Sequence, residues 1–361
     1  MIIVLLLIIC SSATAKLIDV NTTQILVADT NANDPLKIRQ AFAQIIAINT
    51  GEDIITILQN PVFLEAQIKS AIKRSYFEKI DTQYLPIQGE VQYWFHLVVQ
   101  QNFIHKIILQ AGFSLLPHNR EEIMLWLVSE DDTALNPTAA EVEGTFKAQG
   151  LNYAYRDEIA MYWLQQWAQA LGLIIKLPKM DETDWQNVSA QSIKSLSFEA
   201  AAHTQNRYQI NKNLLVYIKK TELAVKIRSG FSLNQDDIKI KHFQQPTNEM
   251  GVILYSMMLD TSQEYALNYK IDSTKLQNHT QRIVITNLQN YDEVEKVRHY
   301  LNNLSVISSY NIVSAMYGTI EMNAELMINS EAFLKMTTRD KILSHDPSSQ
   351  SNQLLFNFNT P

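Results

Sequence analysis

Apolar residues recur along this chain in short extended and helical runs. Residues 17–28, LIDVNTTQILVA, predict a strand. Asp34-Pro35 then starts a helix, with proline in the first turn where its missing N–H costs nothing. Leu36, Ala43, Ile46 and Ala47 recur at helical spacing, and Thr50-Gly51 closes that helix. Asn60-Pro61 opens a second one in the same way, with Phe63, Ile68, Ala71 and Ile72 apolar. Extended segments follow at residues 75–85 and 90–100, parted by Pro86 and Gly89. The second is apolar at Val91, Tyr93, Phe95, Leu97 and Val99, the period of a half-buried strand. A helix over 102–111 ends at Gly112. Together these make an α+β domain over residues 16–118.

A central α/β domain is expected over residues 119–278. EIMLWLVS at 122–129 is apolar almost throughout, as in a strand buried on both faces. Residues 130–150 read as a polar loop. Residues 156–171 predict an amphipathic helix with Ile159, Trp163, Trp167 and Ala170 on one face and Gln165, Gln166 and Gln169 on another. Residues 171–208 then give a short apolar run stopped by Pro178, an acidic turn, and a helical pattern leading to Arg207-Tyr208. Strands at 214–218, 223–228 and 238–242 precede a long helix over 246–269. Met250, Ile253, Leu254, Met257, Met258 and Tyr265 form its stripe.

The last part, residues 279–346, reads strand (282–286), helix (291–304), strand (306–313), strand (318–326), helix from Ser330 as N-cap. Residues 342–343 or 354–358 close the series. This is the split βαβ, or ferredoxin-like, order. The first domain has a related order with one extra helix. The fold class is therefore α+β to α/β and multidomain, with ferredoxin-like βαββαβ domains flanking a central α/β domain. Residues 347–361 are a polar linker, PSSQSN, and a terminal strand.

Composition narrows the function. Nine glycines in 361 residues fall well below the usual share of roughly 7%. Phosphate loops need glycine, and neither the P-loop nor the dinucleotide fingerprint is present. A net charge of −7 gives no basic face for nucleic acid. Residues 1–15, MIIVLLLIICSSATA, predict an export signal cleaved after Ala15. The apolar run is shorter than the roughly 20 residues a membrane span needs, so no transmembrane segment is expected in the mature chain. Cys10, the one cysteine, lies inside the signal, so the mature chain has no disulfide or thiolate ligand.

Candidate chemistry is sparse. No H-E-x-x-H and no histidine pair at i, i+4 is present. His96 and His105 read as hydrogen-bonded or surface residues. Asp181, Glu182 and Asp184 could gather a hard cation, but capping and solvation are the favoured reading, with Asp184 as N-cap. Glu130-Asp131-Asp132 and Asp236-Asp237 read as solvated turns. No catalytic, cofactor-binding or metal-binding residue is assigned, and no cofactor is expected. Aromatic residues cluster at Tyr153, Tyr155, Tyr162, Trp163 and Trp167. Most of these are core by spacing. Tyr155 and Tyr162 are candidates for partner binding, and Leu354, Phe356 and Phe358 offer a strand that could pair with a neighbour or close its own domain.

Three blocks carry a resemblance: IMLWLVSEDD at 123–132, LGLIIKLPKMDETDW at 171–185 and NRYQINKNLLVYIKK at 206–220. They resemble an exported Gram-negative family known only as a domain of unknown function. That family has a glycine after the last buried strand, where this chain has Lys219-Lys220. The resemblance implies no enzymatic activity and a periplasmic, outer-membrane-associated address. By analogy it implies other envelope proteins as partners, such as the subunits of a type IVB secretion outer-membrane core complex. The expectation is a non-enzymatic structural or interaction protein. The alternatives are an envelope-polymer hydrolase using two carboxylates, and a periplasmic carrier of a lipid or small apolar ligand.

Overall fold

The computed structural model describes residues 16–63, 65–85, 92–131, 145–148, 151–154, 157–233, 237–272, 276–302, 304, 306–316, 318–340, 342–348 and 353–359. The expected signal at 1–15, Tyr155, Asp132 and most of the linker lie outside them. The protein is a mixed α+β chain. Its described strands form a seven-, a five- and a three-stranded sheet and one two-stranded pair.

The first region runs β1 (Lys16–Leu17), β2 (Thr22–Val27), α1 (Pro35–Thr50), α2 (Ile54–Gln59), α3 (Glu65–Ala71), β3 (Ile72–Lys79), β4 (Tyr93–Val99) and α4 (Gln101–Ala111). α1 begins and ends where the sequence places it. The Asp34 carboxylate accepts from the Leu36 N–H at 2.9 Å, and Gly51 closes the helix in the left-handed region. The helix expected to open at Asn60 starts only at Glu65, as α3, and a further helix, α2, ends just before Asn60. The Asn60 side chain accepts from the Val62 N–H at 3.0 Å, an Asx turn that separates them. β4 is the middle strand, antiparallel to both β2 and β3. One face of this sheet packs Ile25, Val27, Phe95, Leu97 and Val99 into a core shared with α1 and α4. Period-two alternation turns Trp94, His96 and Val98 to the other face.

The central region contains β5 (Asn119–Arg120), which pairs with β1, then β6 (Ile123–Asp131), β7 (Thr145–Ala148), β8 (Leu151–Ala154), α5 (Glu158–Ala170) and β9 (Ile175–Lys176). It continues through α6 (Glu182–Asn187), α7 (Ala190–Lys194), α8 (Phe198–Ala202), α9 (Gln205–Tyr208), β10 (Lys212–Lys220), β11 (Ala224–Ser232), β12 (Ile238–Pro246) and α10 (Met250–Tyr269). The sheet order is β12-β11-β10-β6-β8-β7, with β9 also on β6. β6 and β10 are parallel and buried on both faces. Ile123, Leu125 and Leu127 pack with α5 and α10, while Met124, Trp126 and Val128 pack under the short helices. Three expectations change here. The polar stretch 130–150 contains β7, which pairs antiparallel with β8 just beyond it. Ile159 is exposed, so the buried stripe of α5 runs through Ala160, Trp163, Leu164 and Trp167. The pattern over 171–208 gives a two-residue strand and four short helices. Pro178 has no N–H with which to extend β9. Ser189 caps α7 by accepting from the Ser192 N–H at 3.1 Å, which restarts the chain.

The last region is β13 (Leu276–Thr286), α11 (Tyr291–Asn302), β14 (Ile307–Met316), β15 (Thr319–Ile328), α12 (Ser330–Asp340), β16 (Leu343–His345) and β17 (Gln353–Phe358). The expected strand-helix-strand-strand-helix order is present, in sheet order β14-β15-β13-β17-β16. Two closing strands form rather than one. β17 inserts between β13 and β16 and runs parallel to β13. Asn329, not Ser330, caps α12, accepting from the Ala332 N–H at 2.8 Å. The Ser330 hydroxyl instead donates to Gln281 Oε1 at 2.8 Å. The apolar cluster is continuous from Phe42 and Ile104 in the first region to Phe333 and Phe356 in the last.

Candidate functional site

The second face of the first sheet meets α5 of the central region. At one end the contact is filled. Trp94 packs edge-on against Trp167 and Trp163, with ring centroids 4.8 and 5.7 Å away. All three indoles are buried, yet each N–H has a partner. Trp94 Nε1 donates to the Tyr162 hydroxyl at 2.9 Å, Trp163 Nε1 to the Tyr84 carbonyl at 3.2 Å, and Trp167 Nε1 to the Gly251 carbonyl at 2.9 Å. Tyr162 and Tyr84 stack at 3.9 Å. Burial holds the Tyr162 hydroxyl above the usual tyrosine range. Tyr162, a candidate for partner binding, is half-buried and joins the two regions through these contacts.

At the other end the same faces part and leave a half-open groove of about 810 Å³. Its floor is a ladder across the three strands. Gln24, His96 and Tyr76 lie side by side in register. Tyr76 stacks on His96 with centroids 4.4 Å apart and planes 5° from parallel. The Arg74 guanidinium lies 5.0 Å from the centre of the Tyr76 ring. His96 Nε2 and Glu78 Oε2 are 3.2 Å apart. Burial pulls the His96 imidazole below its ordinary value, while Glu78 pulls the opposite way. Gln165, Gln166 and Gln169 of α5 form one wall, and Gln24 Nε2 donates to Gln166 Oε1 at 2.6 Å. The segment from Gly172 into β9 forms the other. This is a surface of amides and one ring stack, with the Arg74 cation set against the carboxylates of Glu78 and Asp19. It can hold a polar chain by hydrogen bonds and stacking.

Arg120 fixes the far wall. It is 1% exposed, and its guanidinium donates to the carbonyls of Ile48 and Gly172 and, at 3.4 Å, of Leu171. Burial pushes it down to about 10, still protonated at neutral pH. Gly172 is left-handed, and a Cβ there would lie 2.7 Å from Arg120 Nη1. Nothing in the local sequence around Arg120 signals this role, because its partners are main-chain carbonyls from distant segments.

The acidic turn forms a separate structural knot. Asp181, not Asp184, is the N-cap of α6. Asp184 is fully buried and accepts from Arg207 Nη1 and from the Met180 N–H, both at 2.9 Å, and from the Tyr208 hydroxyl. Arg207 also donates to Asp181 at 2.6 Å. That bond holds the Asp181 carboxyl down at about 2, and burial with Asp184 lifts Tyr208 to about 12. Glu182 lies apart from these, bonded to Gln186. The guanidinium occupies the place a cation would take between Asp181 and Asp184. Glu130 is likewise no solvated turn. It is buried at the end of β6, where it accepts from Tyr217 and from Lys194 at 2.9 Å.

The remaining candidates fall outside any surface site. Leu354, Phe356 and Phe358 are buried in the core of their own sheet, because alternation along β17 aims all three inward. Of the groove, His96 and the glutamine face of the helix, Gln165, Gln166 and Gln169, drew notice in the sequence, but nothing there brought them together. A further signal was available: Trp94 falls on the polar face of a period-two strand, which implies a second packed surface. Among the described residues no helix is long and apolar enough to cross a membrane. Comparison of the chain with family models, curated proteins and solved structures gives no match.

Proposed function

We propose that this chain is a non-enzymatic interaction protein of the periplasm, held in an outer-membrane-associated assembly such as a type IV secretion core complex, and that the groove is where it takes a polar, extended segment of a partner. One observation carries the reading. A groove of about 810 Å³ is lined mainly by glutamine amides and a Tyr76–His96 stack, groups suited to holding a polar chain by hydrogen bonds and stacking. A two-carboxylate hydrolase needs a carboxyl in dry, apolar surroundings. Glu78 is two-thirds exposed and already paired with His96. An apolar carrier needs a large apolar chamber. The apolar recess beside Leu125 and Leu127 measures about 370 Å³, and the contact between the first two regions is filled by indole rings. We read the last region as a ferredoxin-like unit that has gained a strand, the kind of small α/β module from which stacked envelope assemblies are built.

The test is an affinity pull-down of the tagged chain from detergent-solubilised envelopes, with mass spectrometry of what accompanies it. A defined set of envelope proteins, lost from the double variant Tyr76→Ala, Gln165→Ala, supports the reading. An empty pull-down repeated after crosslinking in cells sinks it.

A further inference from the structure

α11 and β14 of the last region meet α4 of the first around a pocket of about 540 Å³, a size that suits a small molecule. At its inner end stands His105 of α4, which is 6% exposed. Its Nε2 is buried and has no hydrogen-bond partner among the described residues. The neighbouring ring does not supply one. His118 lies 6.1 Å away between centroids, and its own Nε2 meets Asn49 Oδ1 at 2.9 Å. Buried side-chain nitrogens are paired in the great majority of cases, so an orphan on the wall of a pocket marks a place for an outside partner. Burial pushes the imidazole down to about 4. It is therefore neutral at neutral pH, and a neutral ring can offer one N–H.

Arg298 of α11 stands at the exposed rim. It donates to Glu295 Oε1 at 2.7 Å and to the Tyr310 hydroxyl. A guanidinium carries more N–H donors than two such contacts use. The Glu295 pair also lies in solvent, its side chains 45% and 43% exposed, where ion pairs hold weakly and yield to a ligand. Among the described residues no carboxylate lines the pocket itself, while Ser309, Asn302 and Asn311 line it with a hydroxyl and two amides. We propose that the pocket binds a small hydroxylated carboxylate, with its charge on Arg298, an acceptor oxygen on His105 Nε2 and its hydroxyls on Ser309, Asn302 and Asn311. One guanidinium matches one negative charge, and its planar fork fits a carboxylate. A phosphate dianion calls for a second cation, and among the described residues Arg298 is the only lysine or arginine on the wall. A wholly apolar ligand would leave the imidazole and the amides unpaired. The pocket shares no residue with the groove on the first sheet, so the proposal stands apart from the partner segment taken there.

The purified chain, isotope-labelled at histidine, is titrated with glucuronate and followed by NMR of its imidazoles. The His105 signals are those lost in His105→Phe. Glucuronate should shift them saturably. Glucuronamide keeps the hydroxyls and lacks the charge, and should bind at least about tenfold more weakly. Arg298→Gln, at an exposed helical position that leaves thermal melting unchanged, should weaken glucuronate by a similar factor. Inorganic phosphate should bind more weakly than glucuronate. His105 signals that stay still up to about 50 mM glucuronate overturn the proposal. So does equal binding of the amide, tighter binding of phosphate, or an affinity that Arg298→Gln leaves intact.

Discussion

One sheet face does two things. Around Trp94, the second face of the first sheet is dry and filled, with every indole N–H paired. Two residues along the same strand, at His96, it opens into a polar groove. The backbone is the same and so is the alternation. The difference lies in what α5 presents: Trp163 and Trp167 at one end, glutamines at the other. Large flat rings fill space that amides leave open. A helix laid across a sheet can therefore be a core element for half its length and a wall for the rest.

The largest effect that tests this contrast is Trp94→Ala. Removing a fully packed indole costs about 3–5 kcal/mol, and it also strands the Tyr162 hydroxyl. Urea unfolding should show that loss with little change in slope. A loss below about 1 kcal/mol would mean the seam is not packed as described.

The two histidines on either side of this sheet divide by pH. His105 on α4 is buried with no hydrogen-bond partner for Nε2 among the described residues, and burial holds it down at about 4. The unfolded chain binds that proton near 6.5, so the folded state is penalised as pH falls from 6.5 towards 4. The stability is fully present above 6.5, and about 3 kcal/mol is lost across that window. His96 is also lowered, but Glu78 opposes the burial, so its share is smaller. The variant His105→Phe should flatten the acid limb of the stability curve. If His96→Phe flattens it instead, the groove is drier than the core under α4 on the other side of the sheet.

The smallest structural effect, and the sharpest functional one, belongs to Tyr76→Ala. Tyr76 is exposed and stacks only on His96 and Arg74. Its loss should move stability by about 0.5 kcal/mol or less while removing the captured partner. Thermal melting and the pull-down together read both numbers.

Much of the scaffold was legible in order. Asp34-Pro35 and Thr50-Gly51 bounded α1 because caps and turns are local chemistry. The unbroken apolar run in β6 announced a strand covered on both faces. The failures share a cause. Asn60 formed a turn where a helix start was expected, and Ser189 broke one helical pattern into short helices, because their side chains offered the backbone a closer partner. Residues 354–358, read as closing their own domain or pairing with a neighbour, form the strand beside β13, in keeping with the first of those readings. Of the groove, alternation placed His96 and Trp94 on one face but could not say what would face them.

The sequence by itself determined most of the long elements, the buried faces of β4, β6 and α10, and the caps at Asp34, Gly51 and Gly112, because each follows from spacing and side-chain chemistry within a few residues. Only the tertiary structure decided that Arg120 would be solvated by carbonyls from Ile48, Leu171 and Gly172, that Asp184 would be neutralised by Arg207, and that α5 would leave a groove beyond its tryptophans. Those are meetings between segments far apart along the chain. They depend on how whole elements dock, and no local pattern records that.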